Sequence, residues 1–542
     1  MMRRMVLAMA GLAAVCSFGA AQTTAPKTEP ADQTQTLDQQ IAALVAQPAV
    51  SRDHWGVMVT ALDGKPICSL NEAQLFQPAS NAKLYTTAAA MALLGPDTTF
   101  ETEAVVRGTS KATDASGILD GNLVLIGSGD ANLSGRALPY VSPAAKPKGD
   151  VATPPSNPLQ HLEEMADQVA AKGVKTITGD IVGDNTFFPH EPYPSDWSID
   201  DAVWGYGAPV SALSIADNEL RLSMSPGTGL GAFGSVTLEQ AVPYYKLEGG
   251  VLTDTKAKAT GMQVERLPGS RVVRIFGSMA QGSETDVEEI AIEDPAEYAA
   301  LAFKAMLEAR GIRVSGVARA VHTEMGNTNY LPSGTQLTWE EVLGVGVRNT
   351  CPQGSYPVSV TLAVHRGPTV REDITVTNKV SQNLHAELLL HHLGKLAYCK
   401  LGSTRAGLTV ERAFLLHAGI DKDDFIFFDG SGLSNHDLVT PRATAKLLQY
   451  ATTQPWFADW KASLPIGGED GSLEERFAKP PLKDHLFAKT GTLGEARALS
   501  GYLDAASGRT VIFSIMVGNH LPGTNADRDA MDKIVAAIAA AE

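Results

Sequence analysis

Only four cysteines occur in 542 residues, and one of them, Cys16, falls in an N-terminal stretch that reads as cleavable. The remaining three, Cys68, Cys351 and Cys399, are too few for a disulfide-built scaffold. An oxidising compartment permits one bridge among them, with the third thiol left over. No CxxC or HExxH spacing is present and the twelve histidines are scattered, so no metal centre is expected. The adjacent pair His391-His392 sits beside a leucine run and reads as helix surface or core. Positive charge is also in short supply. Lys plus Arg is 44 against 60 Asp plus Glu, a balance of −16, and this excludes the basic face that a nucleic-acid binder needs. No apolar run is long enough for a stable membrane span. No serine has glycine at both −2 and +2, which removes the nucleophile elbow of α/β-hydrolases.

What is present is an ordinary globular composition, 44% apolar and 19% charged, with ample material for a large core. Arg3 and Arg4 precede an apolar run over 5–16, and Gly19-Ala20-Ala21 follows. This is the layout of a signal peptide covering 1–21, with an exported or periplasmic mature chain. Residues 22–36 are polar and aperiodic and read as a disordered leader. Helical periodicity is expected over 37–45, 81–94, 295–310, 376–398 and 527–541, and strands over 54–62, 497–503 and 510–517. From about 100 to 345 the texture changes to short apolar runs between Gly, Pro and Asp turns. A loop over 143–158 within this stretch holds five prolines.

Three short segments carry the chemistry. Ser80-Asn81-Ala82-Lys83 opens a helix, where backbone N–H groups favour developing negative charge. The lysine falls one turn on, on the same face as the serine. Once buried, it loses its proton more readily and is placed to take the serine's. With 33 serines and 22 lysines, about 1.3 such pairs arise by chance, so alone the motif is weak. Ser381-Gln382-Asn383 gives a hydroxyl and an amide just before an apolar helix, and alone reads as a helix cap. Lys489-Thr490-Gly491-Thr492 offers positive charge, hydroxyls suited to gripping a carboxylate, and a glycine that lets another backbone approach. The order SxxK, SxN, KTG is the signature of penicillin-binding proteins and class A β-lactamases.

Spacing refines this reading. Ser80 and Ser381 lie 301 residues apart, whereas Ser381 and Lys489 are separated by 108. A compact acyl-serine domain does not need the first interval, so the strand-rich stretch over 101–345 reads as an insertion of more than one module. The catalytic domain is then discontinuous, over 37–100 and 346–542. The expected fold is α/β (α+β), a β-lactamase/transpeptidase-like domain carrying a long insertion whose unfolding or nicking leaves the covalent site standing.

The chain resembles the class C low-molecular-mass penicillin-binding proteins, the type 4 D-alanyl-D-alanine carboxypeptidase/endopeptidases. The matching segments are PASNAKLYTTAAAMALLG at 78–95, GDIVGDNTFF at 179–188, SALSIADNE at 211–219 and TNKVSQNLHAELLL at 377–390. They continue with DGSGLS at 429–434, SLPIGGEDGSL at 463–473, and AKTGTL with ALSGYL within 488–503. The resemblance implies an enzyme without cofactor, acting on peptidoglycan stem peptides and acylated by β-lactam antibiotics. It implies Ser80 as nucleophile, Lys83 as base, Ser381 as proton relay toward the leaving amine, and Asn383 as the group orienting Lys83 and the substrate amide. Lys489 adds positive potential. Thr490 and Thr492 bind a terminal carboxylate beside Gly491, and the backbone N–H groups of Ser80 and Thr492 form the oxyanion hole. Asp184 matches an acidic residue of the family's insertion that holds an ammonium group. Asn435 stands where the family often has arginine after DGSGLS. Two alternatives remain: a β-lactamase, disfavoured by the insertion and the absence of an ExxLN segment before KTG, and a non-catalytic wall-binding or β-lactam-sensing module.

Overall fold

The computed structural model describes residues 35–107, 113–142, 157–327, 330–348, 359–398 and 402–542, with the backbone alone over 345–348. The expected signal peptide, nearly all of the leader and of the proline-rich loop, and Cys351 and Cys399 lie outside the described residues. Cys68 is a buried free thiol; burial, with help from Asp38, pushes it up to about 12, so it is no reactive thiolate.

Residues 37–542 form one compact unit. At its centre is a five-stranded antiparallel sheet, ordered Pro66–Leu70, His54–Ala61, Thr510–Gly518, Ala496–Asp504, Leu486–Leu493. The N-terminal strand therefore lies beside the last one, and the sheet joins the two ends of the chain. The strand over Thr510–Gly518 is apolar almost throughout because both its faces are covered. Phe513 and Ile515 pack under the helices Leu37–Val45 and Ala526–Ala541, while Ile512 and Met516 pack against Tyr85, Ala88 and Leu448. Helix Ala82–Leu93 (AKLYTTAAAMAL) is buried along nearly its whole length, which explains its small, mostly apolar composition, Lys83 being the one ionisable cation in it. The α/β fold expected from sequence is the one observed.

Two boundaries differ from those read in the sequence. The single helix expected over 376–398 is two helices, Val370–Lys379 and Asn383–Ala397, broken where Ser381 takes a left-handed φ of 64°. The first starts earlier than expected, through a capping box between Thr369 and Glu372, and the Gln382 side chain caps Leu384 N–H of the second. The apolar period runs on across the break and hides it. The second difference concerns the insertion. Its main sheet runs Ala318–Thr323, Ile181–Pro189, Leu123–Ile126, Thr99–Arg107, Ser359–Thr369. The last two strands pair antiparallel, Val360 opposite Val106 and Thr361 opposite Val105. The strand over Ser359–Thr369, beyond the composition boundary at 345/346, is thus an edge of the inserted sheet. Smaller sheets around Glu219–Ser225, Val272–Ala280 and Thr176–Ile177 complete the described strand-rich part.

A buried charge cluster fastens this part to the helices Val370–Lys379 and Asn383–Ala397. Ala216, Asp217 and Asn218 are all left-handed, with φ of 51°, 54° and 58°, a conformation costing about 1–3 kcal/mol per non-glycine residue. The Asn218 amide sustains it, accepting from Ile215 N–H and donating to the Pro209 carbonyl. The turn carries Asp217 between Arg136 and the fully buried His385. His385 Nδ1 is also 2.7 Å from Asp373 Oδ1. Burial alone lowers the pKa of an imidazole, but Asp373 and Asp217 outweigh it and raise His385 to about 9. Because the folded value lies above the ordinary 6.5, the stabilisation is complete below about pH 6.5 and is lost as pH rises through 9. It is on the order of 3 kcal/mol. His385→Gln is expected to lower the unfolding temperature by several degrees at pH 6 and by much less at pH 10, measured by thermal melts. A gap that stays constant across that range would show that His385 is not held as a cation.

Candidate active site

Ser80 lies on the 3₁₀ turn Ala79–Asn81 that leads into helix Ala82–Leu93. The strand Leu486–Leu493 comes up against this turn, and a Cβ at Gly491 would sit 2.6 Å from the Pro78 carbonyl oxygen and 3.1 Å from the Ser80 nitrogen. Glycine is required there by contact, and it places Lys489, Thr490 and Thr492 along the edge of the site. Asn81 Nδ2 adds a long bond to the Lys489 carbonyl, 3.4 Å.

Lys83 is fully buried. Its Nζ donates to Ser80 Oγ at 3.0 Å, Asn383 Oδ1 at 2.6 Å and the Ser431 carbonyl at 2.8 Å. Burial lowers it to about 7, even though Asp429, Glu387 and Asp437 pull the other way. Lys489 is equally buried; burial, reinforced by Lys83, holds it well below the usual lysine range. Its Nζ donates to Ser381 Oγ at 2.9 Å and to the Thr490 carbonyl at 3.0 Å. The two lysines thus face the two serines, and Asn383 is bonded directly to Lys83. Asn383 Nδ2 donates to the Tyr206 carbonyl at 2.8 Å, which keeps its oxygen turned toward the lysine. A cavity of about 540 Å³ opens beside Ser381 and Asn383, walled by Trp204, Tyr206, Glu219, Glu288 and Glu289 of the insertion.

Eight of the ten residues singled out in the sequence lie on the three segments brought together here. The other two fare differently. Asp184 accepts from Arg107 at 2.7 Å and from both the N–H and the hydroxyl of Thr186. Arg107 thus occupies one of its oxygens and Thr186 the other. Three other carboxyl groups line the cavity: Glu288, Glu289, which accepts from Arg221 at 3.2 Å, and Glu219, which burial raises to about 8. Asn435 is exposed just past the Ser431–Ser434 turn, its carbonyl accepting from Gln77. His391 and His392 are core: His392 stacks on Phe100, 3.6 Å between ring centres, and His391 meets Phe188 edge-on.

The supporting residues went unread in the sequence. The turn that presents the Ser431 carbonyl is folded around Asp429, which accepts from Gly432 and Ser434 N–H at 2.7 Å and from Trp197 Nε1 of the insertion at 2.8 Å. Glu387 accepts from Gly430 N–H. DGSGLS was visible as a segment, but nothing in it announced a main-chain acceptor for Lys83.

A helix-borne Ser-x-x-Lys, a Ser-x-Asn turn and a Lys-Thr-Gly strand on the edge of an antiparallel sheet define the penicillin-recognising acyl-serine class of proteins. Over residues 37–331 and 341–541 the chain matches the D-Ala-D-Ala carboxypeptidase 3 (S13) family, and it belongs to that family of serine-type D-Ala-D-Ala carboxypeptidases. It is 29% identical over 507 residues to the D-alanyl-D-alanine carboxypeptidase of Actinomadura sp. (strain R39), covering 91% of this chain and 83% of that one. It is 24% identical to D-alanyl-D-alanine carboxypeptidase DacB of Haemophilus influenzae, over 84% of this chain and 83% of that protein. The crystal structure of penicillin binding protein 4 (dacB) from Haemophilus influenzae superposes with a TM-score of 0.74 at 22% identity, over 92% of this chain and 98% of the other.

Proposed function

We propose that this protein is an exported serine D,D-peptidase that cleaves D-alanyl bonds of peptidoglycan stem peptides, both terminal ones and those in cross-links, through an ester at Ser80. The observation that carries this reading is Lys83 Nζ lying 3.0 Å from Ser80 Oγ, with burial bringing the amine's pKa to about 7. Neutral Lys83 takes the Ser80 proton as Oγ attacks the D-alanyl carbonyl. The oxyanion accepts from the Ser80 and Thr492 N–H groups. The leaving amine receives its proton through the Ser381 hydroxyl, which Lys489 holds, and water then hydrolyses the ester with Lys83 again as base. Thr490 and Thr492 hold the terminal carboxylate of D-alanine. Glu288 and Glu289 at the cavity beside Asn383 favour a stem-peptide side chain ending in an amine, whereas burial raises Glu219 to about 8 and leaves it largely protonated at neutral pH. β-Lactams enter the same path and stop at the ester.

In this reading the acylating domain spans 37–98 and 370–542, and the insertion 99–369. Benzylpenicillin is expected to give one covalent adduct by intact mass spectrometry, absent from Ser80→Ala; an adduct surviving in that variant would place the nucleophile elsewhere. Product masses from digested sacculi measure terminal cleavage against cross-link cleavage.

A further inference from the structure

Ser472, on the turn Gly471–Leu473, lies with its hydroxyl 2.6 Å from Thr490 Oγ1. Each hydroxyl has one proton to give, and a carboxylate only accepts. If Thr490 donates to a substrate carboxylate, its oxygen must take the Ser472 proton, so the partner decides which way the threonine proton points. The turn that carries Ser472 is held from beneath by a buried ion pair. Lys379 Nζ donates to both oxygens of Asp470, at 2.8 and 2.6 Å, and to the Leu464 carbonyl at 2.7 Å. Asp470 also accepts from Ile466 N–H. From the side, Gly471 N–H donates to the Tyr140 hydroxyl of the insertion. Ser472 itself caps nothing on this turn. It lines a cavity of about 400 Å³ with Tyr140, Lys379, Val380 and Glu474, which opens alongside Val380, the neighbour of Ser381.

We infer that Ser472 is a positioning residue that directs the Thr490 proton toward the terminal carboxylate of the substrate, and so sets the preference for a free C-terminus. This rests on the proposed D,D-peptidase reading. The buried Lys379–Asp470 pair fixes the height of the turn, and Ser472 converts that rigidity into a fixed hydroxyl direction.

The test uses the full-length enzyme and two thiolesters, an acyl-D-alanyl thioglycolate and its methyl ester, which lacks the carboxylate. Ser472→Ala is expected to lower kcat/KM on the free acid about tenfold, the worth of one ordinary hydrogen bond. It should leave the methyl ester within about twofold of the unaltered enzyme. Ser472→Thr keeps the hydroxyl and should restore the free acid to within about threefold. An equal loss on both thiolesters, or no loss on either, overturns the inference. If the unaltered enzyme itself does not prefer the free acid, the carboxylate contact of Thr490 falls and the role of Ser472 with it. The penicillin adduct at Ser80 tests the acyl-serine reading separately.

Discussion

Lys83→Ala should reduce acylation by a β-lactam by about 10²- to 10⁴-fold, the range a positioned base contributes, while the circular dichroism spectrum stays that of the folded chain. The amine is the base candidate nearest Ser80 Oγ, and burial has lowered it to about 7. The unaltered enzyme should therefore lose acylation rate as pH falls through 7, since the lysine must be neutral to accept the proton. The variant should lose that dependence. Lys83→Arg should be as inactive as the alanine variant, because a guanidinium stays protonated at any pH the protein survives. Stopped-flow acylation with a fluorescent penicillin measures both effects; a rate within threefold of the unaltered enzyme would remove Lys83 from the role.

Gly432→Ala should be nearly as damaging, although residue 432 has no side chain and touches no reacting atom. Gly432 is left-handed, with φ of 83°, and a Cβ there would lie 1.8 Å from the Ala79 carbonyl oxygen. That oxygen belongs to the backbone of the Ser80 turn and cannot swing aside, so either the turn or the 429–434 segment must move by an ångström or more. The segment also supplies the Ser431 carbonyl that holds Lys83, and an ångström of misplacement costs on the order of 10² in rate. The matched control is Gly508→Ala. Gly508 has the same left-handed φ, 82°, but nothing within 4 Å of the added methyl. It should lose about 1 kcal/mol of stability and no acylation rate. Equal acylation rates in the two variants would mean that the approach of the 429–434 segment to Ser80 is not critical.

Both predictions turn on contacts that sequence reading reached only in part. The Ser-x-x-Lys pair was legible because it is local: three residues on a helix are one turn, and the apolar run behind them signals burial. The lysine's third partner was not legible, because a main-chain carbonyl carries no residue signature. The break at Ser381 was missed for a related reason, as an apolar period continuing across a three-residue interruption looks like one helix. The pairing of Asp184 with Arg107, on a strand 77 residues earlier, was likewise beyond motif matching.

The insertion shows the same division. Its strand-rich texture was plain, but its independence from the site does not follow from composition. Tyr206 fixes Asn383, Trp197 anchors Asp429, Tyr140 holds Gly471, and Asp217 clasps His385 on the helix that Asn383 begins. Each contact reaches a residue one step behind the reacting groups. Unfolding the insertion is therefore expected to disturb the site, contrary to the separability that its texture suggested.

By itself, the sequence determined the family of this protein and the residues proposed to carry its chemistry: the serine, the two lysines, the second serine and the amide, in their order along the chain. These are properties of residue type and short spacing, and local structure preserves them. Only the tertiary structure decided which groups hold those residues in place, which carboxyl groups line the cleft, and where the strand-rich sheet ends. Those outcomes depend on backbone atoms and on partners separated by as many as 408 residues, as in the bond from Asn81 to the Lys489 carbonyl. Such pairs meet because the central sheet, apolar on both faces, pairs the strand His54–Ala61 with Thr510–Gly518 and so brings distant parts of the chain together.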